Sequence, residues 1–420
     1  MTKRILAAFL FAVLLASVAP AQAANRFTLL PSFVFMGEWT DNLLLTPEDA
    51  EEDKIADYSI TAIPGLRLRY DSYRTEAFIG ASAAFRHYFE YDEHDGMPEY
   101  YEAGLGWAFW VNPRWRLMLL DELTFFTDPR DRPFGGAQQQ DIESLRTESI
   151  ANRIGIGSQI VFSRISNLET GYGFRTTEYR EDNLNDTVEH QFALTWNRQL
   201  SPAYRFLVFY NYNRALFSPH YDFLRSMWDD EYAMDPSFPM NLDGENDFDT
   251  HIYGAGLFYQ ATPSLSFEFR SGVIMPCQDI NHVYQLTEPD WYQRVDLTKL
   301  FWRVRSTLTY NRTVAPAHGL AGAVLTQTVA GHVEENWTRR FQTVQEGGYT
   351  NYLQPAADID AWRAGAGINY FVFNWLGTGV AYSYLQQQGE TADGGTQDLY
   401  AHRVTLRVAL TTPRPDWIRF

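Results

Sequence analysis

Residues 188–213 read VEHQFALTWNRQLSPAYRFLVFYNYN. Val188, Phe192, Leu194 and Trp196 fall on one side of an extended chain, with Glu189, Gln191, Thr195 and Asn197 on the other. After Leu200-Ser201-Pro202 the pattern resumes: Tyr204, Phe206, Val208, Tyr210 and Tyr212 alternate with a set containing Arg205, Asn211 and Asn213. Period-two alternation marks strands, and a short Ser-Pro connection between two such runs marks a hairpin. One face of this hairpin wants an apolar medium and the other wants water.

The same grammar runs through the 420-residue chain. It predicts sixteen strands, roughly 26–40, 55–70, 73–90, 98–111, 114–128, 147–163, 166–181, 187–199, 203–217, 248–261, 264–277, 295–312, 316–331, 358–373, 375–389 and 398–411. Short turns are expected at Asn112-Pro113-Arg114, Arg164-Ile165-Ser166, Ser201-Pro202, Thr262-Pro263-Ser264, Ala315-Pro316 and Phe373-Asn374. Longer polar stretches separate these hairpins, among them 46–54, 128–144, 218–247, 275–295 and 331–358. Alternation of short and long connections is the habit of outer-membrane barrels, with tight periplasmic turns and long external loops. The fold class expected is therefore all-β, a transmembrane antiparallel up-and-down β-barrel of about sixteen strands spanning 24–411, without an internal domain boundary.

The N-terminus agrees with export. Lys3-Arg4, the apolar run Ile5 to Ala19 and Ala21-Gln22-Ala23 have the form of a cleaved secretory signal peptide, residues 1–23. Beyond it no apolar run is long enough for a membrane helix. Aromatic residues make up 16% of the chain, yet mean hydropathy is only −0.32, so the apolar residues are dispersed instead of massed. The net charge of −18 disfavours nucleic acid. The single cysteine, Cys277, excludes an internal disulfide. Phe420 is a terminal aromatic of the kind read by barrel-assembly machinery, but Pro413 and Pro415 break the alternation before it, so 412–420 are expected to form a periplasmic tail or the end of the last strand.

Cost sets the phase of each strand, because an arginine facing lipid at mid-depth costs about 2–4 kcal/mol. Strand 264–277 then turns Leu265, Phe267, Phe269 and Val273 outward and Glu268 and Arg270 inward. Strand 295–312 turns Leu300, Trp302, Val304, Leu308 and Tyr310 outward, with Arg303 and Arg305 inward. Strand 398–411 turns Val404, Leu406, Val408 and Leu410 outward. Asp121 and Ser306 break the rule, which calls for a bulge or a place near the end of the span. The inward set comprises Arg67, Arg69, Arg116, Arg153, Arg175, Arg205, Arg270, Arg303, Arg305, Arg363, Arg403 and Arg407, against Glu122, Glu169, Glu189 and Glu268 as the clearest acids. The expectation is a net-basic lumen, which would favour anions; cross-strand bracing by Arg–Glu pairs is the competing reading. Six Gly-x-Gly pairs, at 104/106, 155/157, 171/173, 254/256, 365/367 and 377/379, also phase inward. Glycine there eases curvature and leaves room; none of the pairs continues into a phosphate-binding helix.

Two polar stretches are candidate mouth or constriction loops: 128–146 with Arg130 and Arg132, and 218–247 with Trp228 and Tyr232. Aromatics beside a charged channel suit sugar stacking. Catalytic signatures do not emerge: neither HExxH nor GxSxG occurs, and His251, His282, His332 and His402 fall near strand ends or in loops as wet histidines. Cys277 with His282 makes a poor thiol–base pair. The acidic runs 48–53 and 243–249 lack the spacing of a calcium loop. No cofactor or metal is expected.

Near the mature N-terminus the order Glu38-x-x-Asp41-Asn42-x-x-Leu45-Thr46, then an acidic stretch with Asp53 or Asp57, then Pro64-Gly65-Leu66, resembles the outer-membrane β-barrel porin 2 family and related barrels of exopolysaccharide and PEP-CTERM loci. The resemblance implies a Gram-negative outer-membrane barrel, surrounded by lipid and lipopolysaccharide, placed there by the barrel-assembly machinery and associated with periplasmic polysaccharide-export proteins. It carries no catalytic residues. Together the expectation is a conduit for an anionic solute, an exopolysaccharide first. A general or small-anion porin and a closed barrel serving as a scaffold in a surface-polysaccharide or secretion complex are the alternatives.

Overall fold

The computed structural model describes residues 26–43, 54–90, 100–126, 148–179, 185–219, 248–276, 289–316, 323–353, 359–390 and 396–411. They form one sheet of 18 antiparallel strands, each paired with its neighbour in sequence, and β1 pairs with β18 to close the ring. The strands are β1 (Arg26–Thr40), β2 (Asp57–Asp71), β3 (Thr75–Tyr88), β4 (Tyr100–Asn112), β5 (Trp115–Phe126), β6 (Ser149–Ser163), β7 (Ser166–Tyr179), β8 (Asn185–Gln199) and β9 (Tyr204–Pro219). They continue as β10 (Phe248–Thr262), β11 (Leu265–Pro276), β12 (Asp290–Phe301), β13 (Val304–Pro316), β14 (Ala323–Asn336), β15 (Phe341–Leu353), β16 (Ile359–Phe373), β17 (Leu376–Glu390) and β18 (Thr396–Thr411). This is a closed up-and-down barrel. Closure leaves no edge, so the ladder can pair backbone N–H and C=O groups all the way round, which any sheet in hydrocarbon must do.

The barrel has two strands more than the alternation predicts. The run 295–312 is a hairpin, not one strand: Phe301 pairs with Val304, leaving Trp302 and Arg303 at the tip. The polar stretch 331–358 contains the end of β14 and all of β15. Ala315-Pro316 ends β13 at the far side of the barrel instead of forming a tight turn. Tight turns at 72–74, 113–114, 164–165, 200–203, 263–264, 302–303, 337–340 and 374–375 share one end with the start of β1 and the end of β18. Connections at the other end run from 180–184 up to 220–247.

Register fixes which residues share a face, since directly paired residues point the same way. On the outer face a central band holds Leu68 with Ile79, Leu119 with Ile156, Leu257 with Phe269, Leu297 with Leu308 and Val380 with Leu406. Aromatic rings border this band at both ends. Toward the tight turns Trp107 stacks on Phe109, Tyr204 on Tyr259 and Phe373 on Trp375. Toward the long connections Tyr101 stacks on Phe125 at 4.7 Å, and Tyr349 packs on Trp362 at 4.3 Å. An apolar band between two aromatic girdles is the outer wall of a barrel that spans a bilayer. Ser306, paired with Val333, faces outward three residues past the 302–303 turn, near the end of the span. Asp121 faces outward in mid-strand between Leu105 and Ile154, and no register shift lies beside it.

Candidate functional site: the luminal wall

All six Gly-x-Gly pairs lie on the inner face, as their phase predicts: Gly155 pairs with Gly173, Gly157 with Gly171 and Gly365 with Ser383. At two of them glycine is sterically required. A Cβ on Gly106 would collide with the Phe78 ring, and one on Gly254 with the Phe209 ring. Phe78 and Phe209 point inward and lie flat over a neighbouring strand that has no side chain there.

Eleven of the twelve predicted arginines share the inner face. Arg303 does not. It sits at the tip of the β12–β13 turn, where its Nη1 donates to the Trp337 carbonyl at 2.6 Å. The correction has a simple cause: a two-residue turn flips the phase, so Leu300 pairs with Arg305 and also moves to the inner side. The register adds Arg86 and Arg294 to the inward arginines.

The inward acids are more numerous than the four predicted. Glu38, Glu76, Glu102, Asp296, Glu334 and Glu346 join Glu122, Glu169, Glu189 and Glu268. The register also turns Arg26, Asp57, Asp71 and Asp290 inward, so the wall is charge-mixed with arginines and carboxylates close to balance, where a net-basic lumen was expected. The charges are arranged in rows that run across strands. Over β5 to β8 the register reads Glu122–Arg153–Arg175–Glu189. Arg175 lies 3.6 Å from the fully buried Glu189, whose other oxygen accepts from Gln191 at 3.1 Å. Over β11 and β12 an acidic row, Glu268–Asp296, lies beside a basic row, Arg270–Arg294. Arg270 and Arg294 each bond the acid two residues along the strand, at 2.7 Å, and Asp296 also accepts from Thr309 at 3.0 Å. Arg205 approaches Glu268 at 3.6 Å and covers the Phe258 ring.

Nearer the tight turns Arg69 pairs with Asp71 at 2.8 Å and Arg116 with Glu76 at 3.4 Å. Arg67 rests over the Phe78 ring. Between β9 and β12 the inner face carries a buried apolar cluster, Leu207, Phe209, Ile252, Ile274 and Tyr292, with Phe209 edge-on to Tyr292 at 5.3 Å.

The sector of β16 to β18 and β1 differs. Arg363, Arg403 and Arg407 all face inward. Arg403 stands opposite Ser383 and Thr40, Arg407 opposite Gly379 and Met36, and Arg363 opposite Leu385, with Gly365, Gly367 and Ala381 nearby on the same face. Arg403 reaches Glu38 across the closing seam at 3.3 Å. The glycines leave space for long guanidinium side chains, and three arginines share this sector of the wall.

Arg130, Arg132, Trp228 and Tyr232, together with the signal peptide, the 48–53 acidic run, Cys277, His282 and the tail 412–420, lie outside the described residues. His332 is not a loop histidine: it is half-buried on the inner face of β14 opposite Glu346. Among the described residues no group of three or more His, Cys, Asp or Glu is placed to hold a metal. No helix is long and apolar enough to cross a membrane, which leaves β-strand crossing untouched.

No protein-family model matches the chain, and no curated protein matches it in sequence. Among solved structures it is similar to Acinetobacter baumannii OccAB4 (TM-score 0.48, 9% identity, 91% of this chain and 98% of that chain). It is similar also to Pseudomonas aeruginosa OpdO (0.47, 9%, 91% and 97%) and to the siderophore receptor PirA from Pseudomonas aeruginosa (0.44, 8%, 91% and 80%). At these scores the likeness carries no inference about solute or mechanism.

Proposed function

We propose that the chain is an outer-membrane barrel of porin type that gives passage to an anionic solute, with an exopolysaccharide as its cargo. The observation that carries the reading is the β16–β18 sector, where Arg363, Arg403 and Arg407 all face the lumen. As elsewhere on the wall, where Arg270–Glu268 and Arg175–Glu189 hold guanidinium groups against carboxylates, Arg403 of this sector meets Glu38. A polyanion moves when each contact is weak and replaceable, and a wall of mixed rows with three arginines in one sector supplies contacts of that kind. The polysaccharide itself rests on the resemblance of Glu38 to Leu66 to barrels of exopolysaccharide loci. Residues 1–23 as an export signal support the outer membrane as the destination.

Planar-bilayer recording tests this. The purified protein is expected to give discrete conductance steps, with a reversal potential under a salt gradient that favours anions. Arg407→Gln and Arg363→Gln are each expected to lower anion permeability by about fivefold, the effect of removing one charge about 4 Å from the ion path in water. Arg303→Glu, at the turn tip, leaves it unchanged. An acidic polyuronate, but not a neutral dextran, is expected to interrupt the current. A silent membrane, or selectivity indifferent to the sector arginines, sinks the conduit. A scaffold barrel is the second reading, favoured by the inward cluster Leu207, Phe209, Ile252, Ile274 and Tyr292, a part of the wall that is packed instead of wetted.

A further inference from the structure

The outer surface repeats one three-residue device. On β7 and β8, Tyr172 and Phe174 flank His190, with the tyrosine hydroxyl 2.8 Å from Nδ1. On β9 and β10, Tyr210 and Tyr212 flank His251, again at 2.8 Å. On β17 and β18, Tyr382 and Tyr384 flank His402 at 2.7 Å. In each, the histidine stands directly opposite the second aromatic, and the first aromatic supplies the hydroxyl. With the phenol donating to Nδ1, the ring proton sits on Nε2, a donor directed away from the hydroxyl. All three lie at the girdle beside the long connections, the depth of lipid headgroups when that end faces outward.

The first two devices adjoin each other, and Arg214 stands between them. It pairs in register with His190 on one side and Asp249 on the other. Its side chain is half exposed, and its link to Asp249 is long, 3.7 Å. In that tautomer two imidazole donors flank the guanidinium as an anion-recognition surface, with Asp249, which also accepts from Tyr212 at 3.2 Å, at its border. The third device lacks such an arginine and has the Asp41 carboxylate 4.0 Å from Nε2 of His402.

We propose that His190, Arg214 and His251 bind the phosphate of an outer-leaflet phosphorylated glycolipid, and that the His402 device does not. The inference rests on the reading of the barrel as an outer-membrane protein with its long connections outside.

The test uses the full-length barrel in phosphatidylcholine vesicles doped with bis-phosphorylated lipid A, or with the same glycolipid stripped of phosphate. Glycolipid retained per barrel is read by native mass spectrometry after gentle extraction. The phosphorylated form is expected to be retained about tenfold better, corresponding to one or two charge-assisted hydrogen bonds. Arg214→Ala, and His190→Phe with His251→Phe, are each expected to remove most of that preference, whereas His402→Phe keeps it. Equal retention of both glycolipids by the unaltered protein overturns the patch without any variant and without regard to its folding. Equal loss on His402→Phe, or displacement by millimolar orthophosphate, also overturns it, the latter pointing to a free-anion site. Failure of the barrel to enter vesicles at all would instead overturn the membrane reading on which the proposal stands.

Discussion

Asp121 is the side chain most out of place. It faces the lipid side between Leu105 and Ile154, with Leu119 and Leu123 along its own strand, and its Oδ1 has no hydrogen-bond partner. Acidic groups cost less than arginine on such a wall, here about 1–2 kcal/mol. Asp121→Leu is expected to raise stability by that amount in urea unfolding from vesicles, and Asp121→Lys to lower it by about 2–4 kcal/mol. An unchanged midpoint for Asp121→Leu would mean that the carboxylate is compensated by a contact made only in the membrane. The phase that exposed Asp121 was legible in the sequence, as was the inward set from Arg67 to Arg407 apart from Arg303. The partners were not. Alternation says which way a residue points but not which carboxylate stands beside it. Glu38 meets Arg403 only because the first and last strands close on one another.

At the scale of the element, the β12–β13 turn shows why two strands were missed. Trp302 and Arg303 carry none of the usual turn residues, and alternation runs up to the turn from both sides. Trp302 nevertheless takes a left-handed backbone, φ 45°, and projects almost fully into solvent. That conformation costs a non-glycine residue about 1–2 kcal/mol. Trp302→Gly should therefore stabilise the hairpin by about 1 kcal/mol once the loss of the ring under Arg303 is set against it. Thermal unfolding that shifts downward would show that the indole anchors the turn at the interface. β15 was hidden for another reason. Its outward positions include Thr343, Gln345, Gly347 and Asn351, so the lipid-side signal is weak, and its strand character rests on pairing with β14 and β16. The tyrosine–histidine devices were equally invisible: His251 and His402 look like isolated polar residues until the neighbouring strand is laid beside them.

For the whole molecule, closure is the property that matters. Every strand has two neighbours, so the ring unfolds as a unit rather than fraying from an edge. The protein is expected to run as a compact, fast band in dodecyl sulfate when unheated and to slow to its chain length after boiling; identical mobility would contradict a closed ring. Apolar band and inward glycines were readable from sequence, because period two and the cost of charge in hydrocarbon decide them residue by residue. The balance of charge inside was not, since Asp296 lies just before the unread β12–β13 turn and Glu334 and Glu346 lie in a stretch that reads as a loop. The seam between β1 and β18 has a consequence in time. The residues that seal the ring are among the first and the last to be synthesised, so a chain stopped anywhere short of β18 would be left with two bare margins. Such a fragment cannot rest stably in a bilayer, and the cell would have to protect it, finish it or destroy it.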